Sequence, residues 1–148
     1  MSHTRETLDR HLAAEAAHDP QAAAATYQED GWYENGALGL RFEGRDMVAF
    51  QYAASYALIA DMTARYDWEV DLGDHIVQCG RITGTATGDL LGVPLRGGPV
   101  DFPFTAVISF RDGKMAGEHI WYDLELFCDQ AGADADAVRV AAGALSTA

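Results

Sequence analysis

From Phe102 to Phe110 apolar residues recur at every second position, and Asp112-Gly113 joins this run to a second strand-like run, Met115–Asp123. Phe102, Phe104, Ala106, Ile108 and Phe110 alternate with Asp101, Thr105, Ser109 and Arg111. Successive strand side chains point to opposite faces, so such a run offers one face to a core. Asp-Gly between two such runs is a strong hairpin signal, because the favoured two-residue turn needs positive φ at both positions. Met115 to Asp123 is then the antiparallel partner. Upstream, Tyr66, Trp68, Val70 and Leu72 alternate with Arg65, Asp67, Glu69 and Asp71, which predicts another half-buried strand. After the turn signal Gly73-Asp74, a strand is expected over His75–Thr87. Its Gly80 and Gly84 suggest a bulge or strong bend. Gly88–Pro99 reads as a long connection.

The N-terminal part carries a helical period instead. Leu8, Leu12 and Ala16 recur in a helix expected over Thr4–His18. Asp19-Pro20 restarts the chain, with Asp as N-cap and Pro at the first helical position. This predicts a short helix from Pro20 to about residue 28. Trp32–Asn35 reads as a short strand opening into a Gly36–Gly44 loop. Arg45–Ala60 should be a helix covered on most sides, since Met47, Phe50, Ala54 and Leu58 form one stripe and Val48, Tyr52, Ser55 and Ile59 another. A short helix is expected over Leu124–Gln130. Helices first and a strand meander afterwards argue for an α+β fold. A curved antiparallel β-sheet with helices on one face would leave a cone-shaped pocket. The domain should span residues 1–132, with 133–148 a C-terminal tail or weakly packed short helix.

The 148 residues suit one domain, and 49% apolar with 22% charged residues is a globular composition. Ten Lys and Arg against 23 Asp and Glu give a net charge of −13. Such a surface repels phosphate backbones and anionic membrane surfaces, so neither nucleic acid nor a membrane is expected as partner. No apolar run approaches the ~20 residues of a membrane span, and the N-terminus has no secretory pattern. A cytoplasmic protein is expected. Cys79 and Cys128 are far apart, which disfavours a disulfide framework or a structural zinc site.

Alternation in the last strand puts His119, Trp121 and Asp123 on one face and Glu118, Ile120 and Tyr122 on the other. An imidazole, an indole and a carboxyl in line can form a proton-transfer site with an aromatic wall. In an apolar pocket, desolvation would raise the Asp123 pKa. The competing expectation is a solvated outer face. His11 sits beside the Leu8/Leu12 stripe, at the edge of a buried face. His18 lies nearly on the same helical face, but no third ligand at metal spacing is visible, and no metal is expected. Tyr33 and Asn35 share one strand face, Trp32 and Glu34 the other. An Asn in a pocket can orient a carbonyl or water, or it can serve only as a turn residue. Tyr52 and Tyr56 read as core residues with polar tips. Nucleophile-elbow, P-loop and dinucleotide fingerprints are absent. If the chain is an enzyme, general acid–base chemistry on an apolar substrate without a cofactor is expected.

The chain resembles the SnoaL-like polyketide cyclases, in the superfamily of nuclear transport factor 2, ketosteroid isomerase and limonene-epoxide hydrolase. The resembling stretches are His11-Leu12-Ala13-Ala14 to His18-Asp19, Gly39 to Gly44-Arg45, Thr83–Gly88 with Leu91–Pro94, and Phe110–Met115 through Trp121-Tyr122-Asp123 to Gln130-Ala131-Gly132. The resemblance implies a cystatin-like cone, a curved sheet around a hydrophobic pocket closed by three N-terminal helices, and dimers formed through the sheet. It implies that Asp123, seven residues before Gln130, is the general acid/base. Asn35 falls where related enzymes place a polar pocket residue, and His11 where the isomerase has a pocket tyrosine. Asn35 is not the isomerase's general-base Asp, and the epoxide hydrolase's Asp–Arg–Asp arrangement is not evident. A cyclase-like reading therefore comes first.

The expected activity is aldol-type ring closure of a small hydrophobic, carbonyl-containing, polyketide-like substrate, with no cofactor. Asp123 would be the acid/base, with His119 or His11 relaying its proton. Asn35 and Tyr33 would orient oxygens, and Trp32, Phe50, Trp121, Phe102 and Phe104 would form the apolar wall. A hydratase, hydrolase or isomerase in the same pocket, or a non-catalytic binding or assembly protein, are the alternatives. The expected assembly is a homodimer.

Overall fold

The computed structural model describes residues 2–147. Helices α1 (His3–Ala16) and α2 (Pro20–Ala25) come first, then strands β1 (Tyr27–Asn35) and β2 (Leu40–Glu43), and helix α3 (Arg45–Leu58). Strands β3 (Thr63–Asp71), β4 (His75–Ala86), β5 (Asp89–Leu90), β6 (Val93–Pro94), β7 (Gly98–Arg111) and β8 (Lys114–Tyr122) follow. Helices α4 (Leu124–Ala131) and α5 (Ala135–Ser146) end the chain.

The helix starts follow their caps. Asp19 accepts from the Ala22 N–H ahead of Pro20, so the restart at Asp19-Pro20 is the N-cap expected. Helix α2 stops at Ala25, and β1 begins at Tyr27, five residues earlier than the Trp32 start expected from the sequence. The Gly36–Gly44 loop contains β2, and the Gly88–Pro99 connection contains the β5–β6 hairpin. Asp112 and Gly113 both have positive φ, at 51° and 74°, as the tight turn between β7 and β8 requires.

The main sheet runs β2-β1-β8-β7-β4-β3. It is antiparallel except for the β1–β8 pair, which is parallel because the chain crosses from one to the other through the rest of the sheet. Leu8, Tyr27, Val48, Ile76, Ile108 and Met115 fill a core between α1–α3 and the sheet's inner face. Ile59, Phe102, Phe127, Cys128 and Val138 fill a second core under α4 and α5. Helix α5 is a packed helix, since Val138 is fully buried, where the sequence suggested a weakly packed tail.

Two patterns fold differently from their periodicity. Strand β3 is exposed along its whole length, because it is the sheet edge and nothing covers its outer face. A register shift at Tyr66/Trp68 lies opposite Gly80 and Cys79, where the backbones approach closely and only glycine fits position 80. Helix α3 buries Val48, Ala49, Gln51 and Tyr52, while Met47 and Phe50 face outward. Only the Val48/Tyr52 stripe meets the sheet.

Candidate active site

Between the sheet's inner face and the helices lies a cavity of about 260 Å³. It is lined by His11, Glu15 and His18 from the α1 region, Gln51, Tyr52 and Tyr56 from α3, and Tyr33 and Asn35 from β1. Phe102, Phe104, Ala106 and Ile108 of β7, and Glu118, Ile120 and Tyr122 of β8, form its floor. Its rim carries the exposed residues Ala16, Thr63, Ala64 and Tyr66, so the mouth opens between the end of α1 and β3.

His11, 1% exposed, is the centre of its polar wall. Its Nδ1 lies 3.0 Å from the Thr26 hydroxyl. That hydroxyl donates its one proton to the Ala23 carbonyl at 2.7 Å, so it accepts from His11 and Nδ1 carries hydrogen. The other nitrogen, Nε2, lies 3.1 Å from the Tyr52 hydroxyl, 3.4 Å from Glu15 Oε1 and 3.6 Å from Glu118 Oε2. Tyr27 and Tyr52 each donate to Glu118 Oε2 at 3.1 Å. Burial disfavours a charged imidazole, but Glu15 and Glu118 outweigh it and push the His11 pKa up to about 10. At neutral pH His11 is therefore an imidazolium whose Nε2–H faces Tyr52 and two carboxylates. Burial, and then Glu118, push the hydroxyls of Tyr27, Tyr33 and Tyr52 well above the ordinary phenol range, so they remain proton donors. Burial also raises Tyr122 to about 12, against the hydrogen bond from Asn35. Asn35 donates to the Tyr122 hydroxyl at 3.1 Å and accepts from the Leu38 N–H at 3.0 Å, so it is both pocket residue and turn anchor.

The structure brings together His11, Tyr33, Asn35, Phe102 and Phe104 of the residues singled out from the sequence. It does not bring Asp123, His119, Trp121, Trp32 or Phe50 to the cavity. Asp123 is exposed, and its carboxylate accepts from the Leu126 N–H as the N-cap of α4. His119 and Trp121 stack on each other on the outer face, centroids 3.6 Å apart. Trp32 lies against Gly117 and under the Arg41 guanidinium, 4.3 Å away. Phe50 is 60% exposed. The physical reason for the β8 correction is a bulge. Phe110 pairs with Met115 but Ser109 pairs with Gly117, which leaves Ala116 unpaired. Beyond it the register moves by one, and Glu118, Ile120 and Tyr122 turn inward.

Sequence reasoning passed over Glu15, Gln51, Tyr27 and Glu118 as site residues. Glu15 lies four residues after His11 on α1, a spacing that puts both on one helical face. Glu118 was visible only as part of the opposite strand face. Among the described residues, His11, Glu15 and Glu118 are the one set of three metal-type donors gathered within 4.8 Å of one another. A divalent ion there would have to displace the Nε2 proton that His11 holds at neutral pH.

The pattern of the SnoaL-like domain matches residues 8–118. The chain belongs to the SnoaL-like family. The SnoaL-like chain matches no curated protein. Among solved structures it is similar to a candidate SnoaL-like polyketide cyclase from Jannaschia sp. CCS1, with TM-score 0.79 and 20% identity over 89% of this chain and 93% of that one. A hypothetical protein with ketosteroid isomerase-like fold from Catenulispora acidiphila, in complex with trimethylamine, gives TM-score 0.75 and 23% identity over 88% and 95%. TerC co-crystallised with polyporic acid gives 0.74 and 18% over 88% and 99%. At these identities the likeness is one of fold. The SnoaL-like cone is thus shared. No helix among the described residues is long and apolar enough to cross a membrane.

Proposed function

We propose that this SnoaL-like protein is an acid–base enzyme that closes a ring, aldol fashion, in an apolar carbonyl-rich substrate, using its own side chains. The observation that carries the reading is that His11 Nε2 lies 3.4 Å from Glu15 Oε1 and 3.1 Å from the Tyr52 hydroxyl, with all three groups lining one cavity. Glu15 takes the acidic proton from the carbon between two carbonyls. The carbanion attacks a further carbonyl, remote from these two along the substrate, as the substrate is held folded. Tyr52 gives its proton to the developing alkoxide, His11 reprotonates Tyr52, and Glu15 returns the abstracted proton to His11. Protons balance, and no charge leaves the cavity. Glu118 accepts hydrogen bonds from Tyr27 and Tyr52 and holds the imidazolium in place. Tyr56, whose buried hydroxyl has no partner, can donate to a second substrate oxygen.

The family membership, a candidate polyketide cyclase among the similar structures and the binding of polyporic acid by TerC support this substrate class. A placed acid is worth roughly 10²–10⁴-fold, and a held intramolecular geometry adds to that. The test is turnover of hydroxylated polycyclic ketones and methyl esters by wild type, Tyr52→Phe and His11→Asn. Loss of about 10²-fold or more in both variants, with an intact circular dichroism spectrum, is expected. Unchanged turnover in both would remove this mechanism.

We also infer a homodimer formed through the outer sheet face. Trp68, Cys79, Thr105 and Trp121 are register neighbours across β3, β4, β7 and β8, with Val70, Val77 and Val107 in the next row. Trp68 is 53% and Trp121 41% exposed, so the face is apolar and uncovered.

A further inference from the structure

We infer that the cavity is a binding site for an organic ammonium cation. The first ground is charge. Glu15 Oε1 and Glu118 Oε2 lie 3.4 and 3.6 Å from His11 Nε2, so one imidazolium stands between two carboxylates. No lysine or arginine is among the lining residues. Among these three groups the carboxylates outnumber the imidazolium by one, and His18, the other imidazole of the lining, is turned to the Met62 carbonyl at 2.8 Å. The cavity is partly shielded from water, so attraction for a cation is stronger there than in bulk solvent.

The second ground is the count of hydrogen-bond groups. Gln51 is 8% exposed and lines the cavity. Its Nε2 donates to the Ser55 hydroxyl at 2.9 Å, and its Oε1 has no partner. A buried acceptor without a donor is costly, and a ligand N–H would satisfy it. A carbonyl oxygen would not, because it is another acceptor.

The third ground is the wall. Rings of Tyr33, Tyr52, Tyr56, Tyr66, Phe102 and Phe104 line the cavity, and aromatic rings attract alkylammonium groups through their quadrupoles. Glu15 stands at the mouth with one quarter of its side chain exposed, hydrogen-bonded by the Tyr66 hydroxyl at 3.3 Å. The net charge of −13 draws cations toward the protein. The cavity, at about 260 Å³, admits an amine carrying a single ring. The inference concerns what the cavity holds and does not depend on ring closure. A substrate with an amino group would satisfy both readings, and an amine effector only this one.

The test is isothermal titration at neutral pH with four probes: phenethylammonium, benzyltrimethylammonium, its neutral carbon isostere neopentylbenzene, and phenylacetate. Both ammonium probes should bind at one-to-one stoichiometry and about tenfold or more tighter than neopentylbenzene, a difference of about 1.4 kcal/mol, with phenylacetate silent. Glu15→Gln should weaken the ammonium probes about tenfold and leave neopentylbenzene unchanged. Gln51→Leu should weaken phenethylammonium, which has N–H donors, and spare benzyltrimethylammonium, which has none. The exposed Glu43 serves as a surface control, and Glu43→Gln should change nothing. Equal affinity for benzyltrimethylammonium and neopentylbenzene, binding of phenylacetate, or equal weakening by Glu15→Gln and Glu43→Gln would each overturn the assignment. Circular dichroism checks that every variant is folded.

Discussion

Glu118 stands opposite Ile108 on the inner face of the sheet because Ala116 has no partner on β7. In a hairpin without that extra residue, the inward positions of β8 would be one residue displaced and His119 would face the core. The carboxylate in the cavity is therefore Glu118, and Asp123 serves as a helix cap. Two substitutions separate these roles. Glu118→Gln should lower kcat by about 10²-fold or more, since it removes one of the two carboxylates beside the imidazolium and the acceptor of the Tyr52 hydroxyl. Asp123→Ala should leave kcat within a few-fold and lower stability by about 1 kcal/mol, the usual worth of a lost N-cap. Steady-state kinetics and urea unfolding on both variants decide the matter, and a turnover collapse in Asp123→Ala alone would reverse the assignment.

The His11 pKa makes stability depend on pH. Its folded pKa, raised to about 10 by Glu15 and Glu118 against the cost of burial, exceeds the ordinary value of 6.5. The folded state then binds the proton more tightly than the unfolded chain. This contribution is fully present below about pH 6.5 and is lost as pH rises toward 10. Urea midpoints should fall between pH 7 and pH 10 in wild type, and the fall should be much smaller in His11→Asn. Parallel pH profiles for the two proteins would contradict the charged imidazole.

Gly117 lies where an added Cβ would overlap the Trp32 indole. Gly117→Ala should displace that ring from the outer sheet face and cost about 1–3 kcal/mol, as overpacking does. The double substitution Gly117→Ala with Trp32→Leu should recover part of the loss. Thermal melts of the three proteins test this, and an undisturbed melting temperature in Gly117→Ala would show that the contact does not hold.

Light scattering after size exclusion should give twice the 16.0 kDa chain mass. Trp121→Asp places a charge at the β8 end of the uncovered apolar row and should shift the mass to that of one chain. A monomeric wild type would rule out the outer-face dimer.

The alternation of Phe102 to Phe110, the Asp112-Gly113 turn and the Asp19-Pro20 cap are local features, and local geometry alone accounts for them. Hence the order of helices and strands, the inward face of β7 and the pairing of Tyr33 with Asn35 on one face could be read from the sequence. The sequence placed His11 at the edge of a buried face, whereas packing against the sheet buries it fully, and Glu15 could have been found from its i+4 relation to it. The choice of face on β8 was not local, because one unpaired residue at Ala116 inverts every side chain after it. Nor could the period of two in β3 tell a half-buried strand from an exposed edge, since that depends on what the sheet packs against. Turn chemistry and periodicity determined most of the helices and long strands, and the resembling stretches pointed to the family. Only the tertiary structure decided which carboxylates meet His11, because Glu15 on α1 and Glu118 on β8 converge through helix-on-sheet packing across more than a hundred residues of chain.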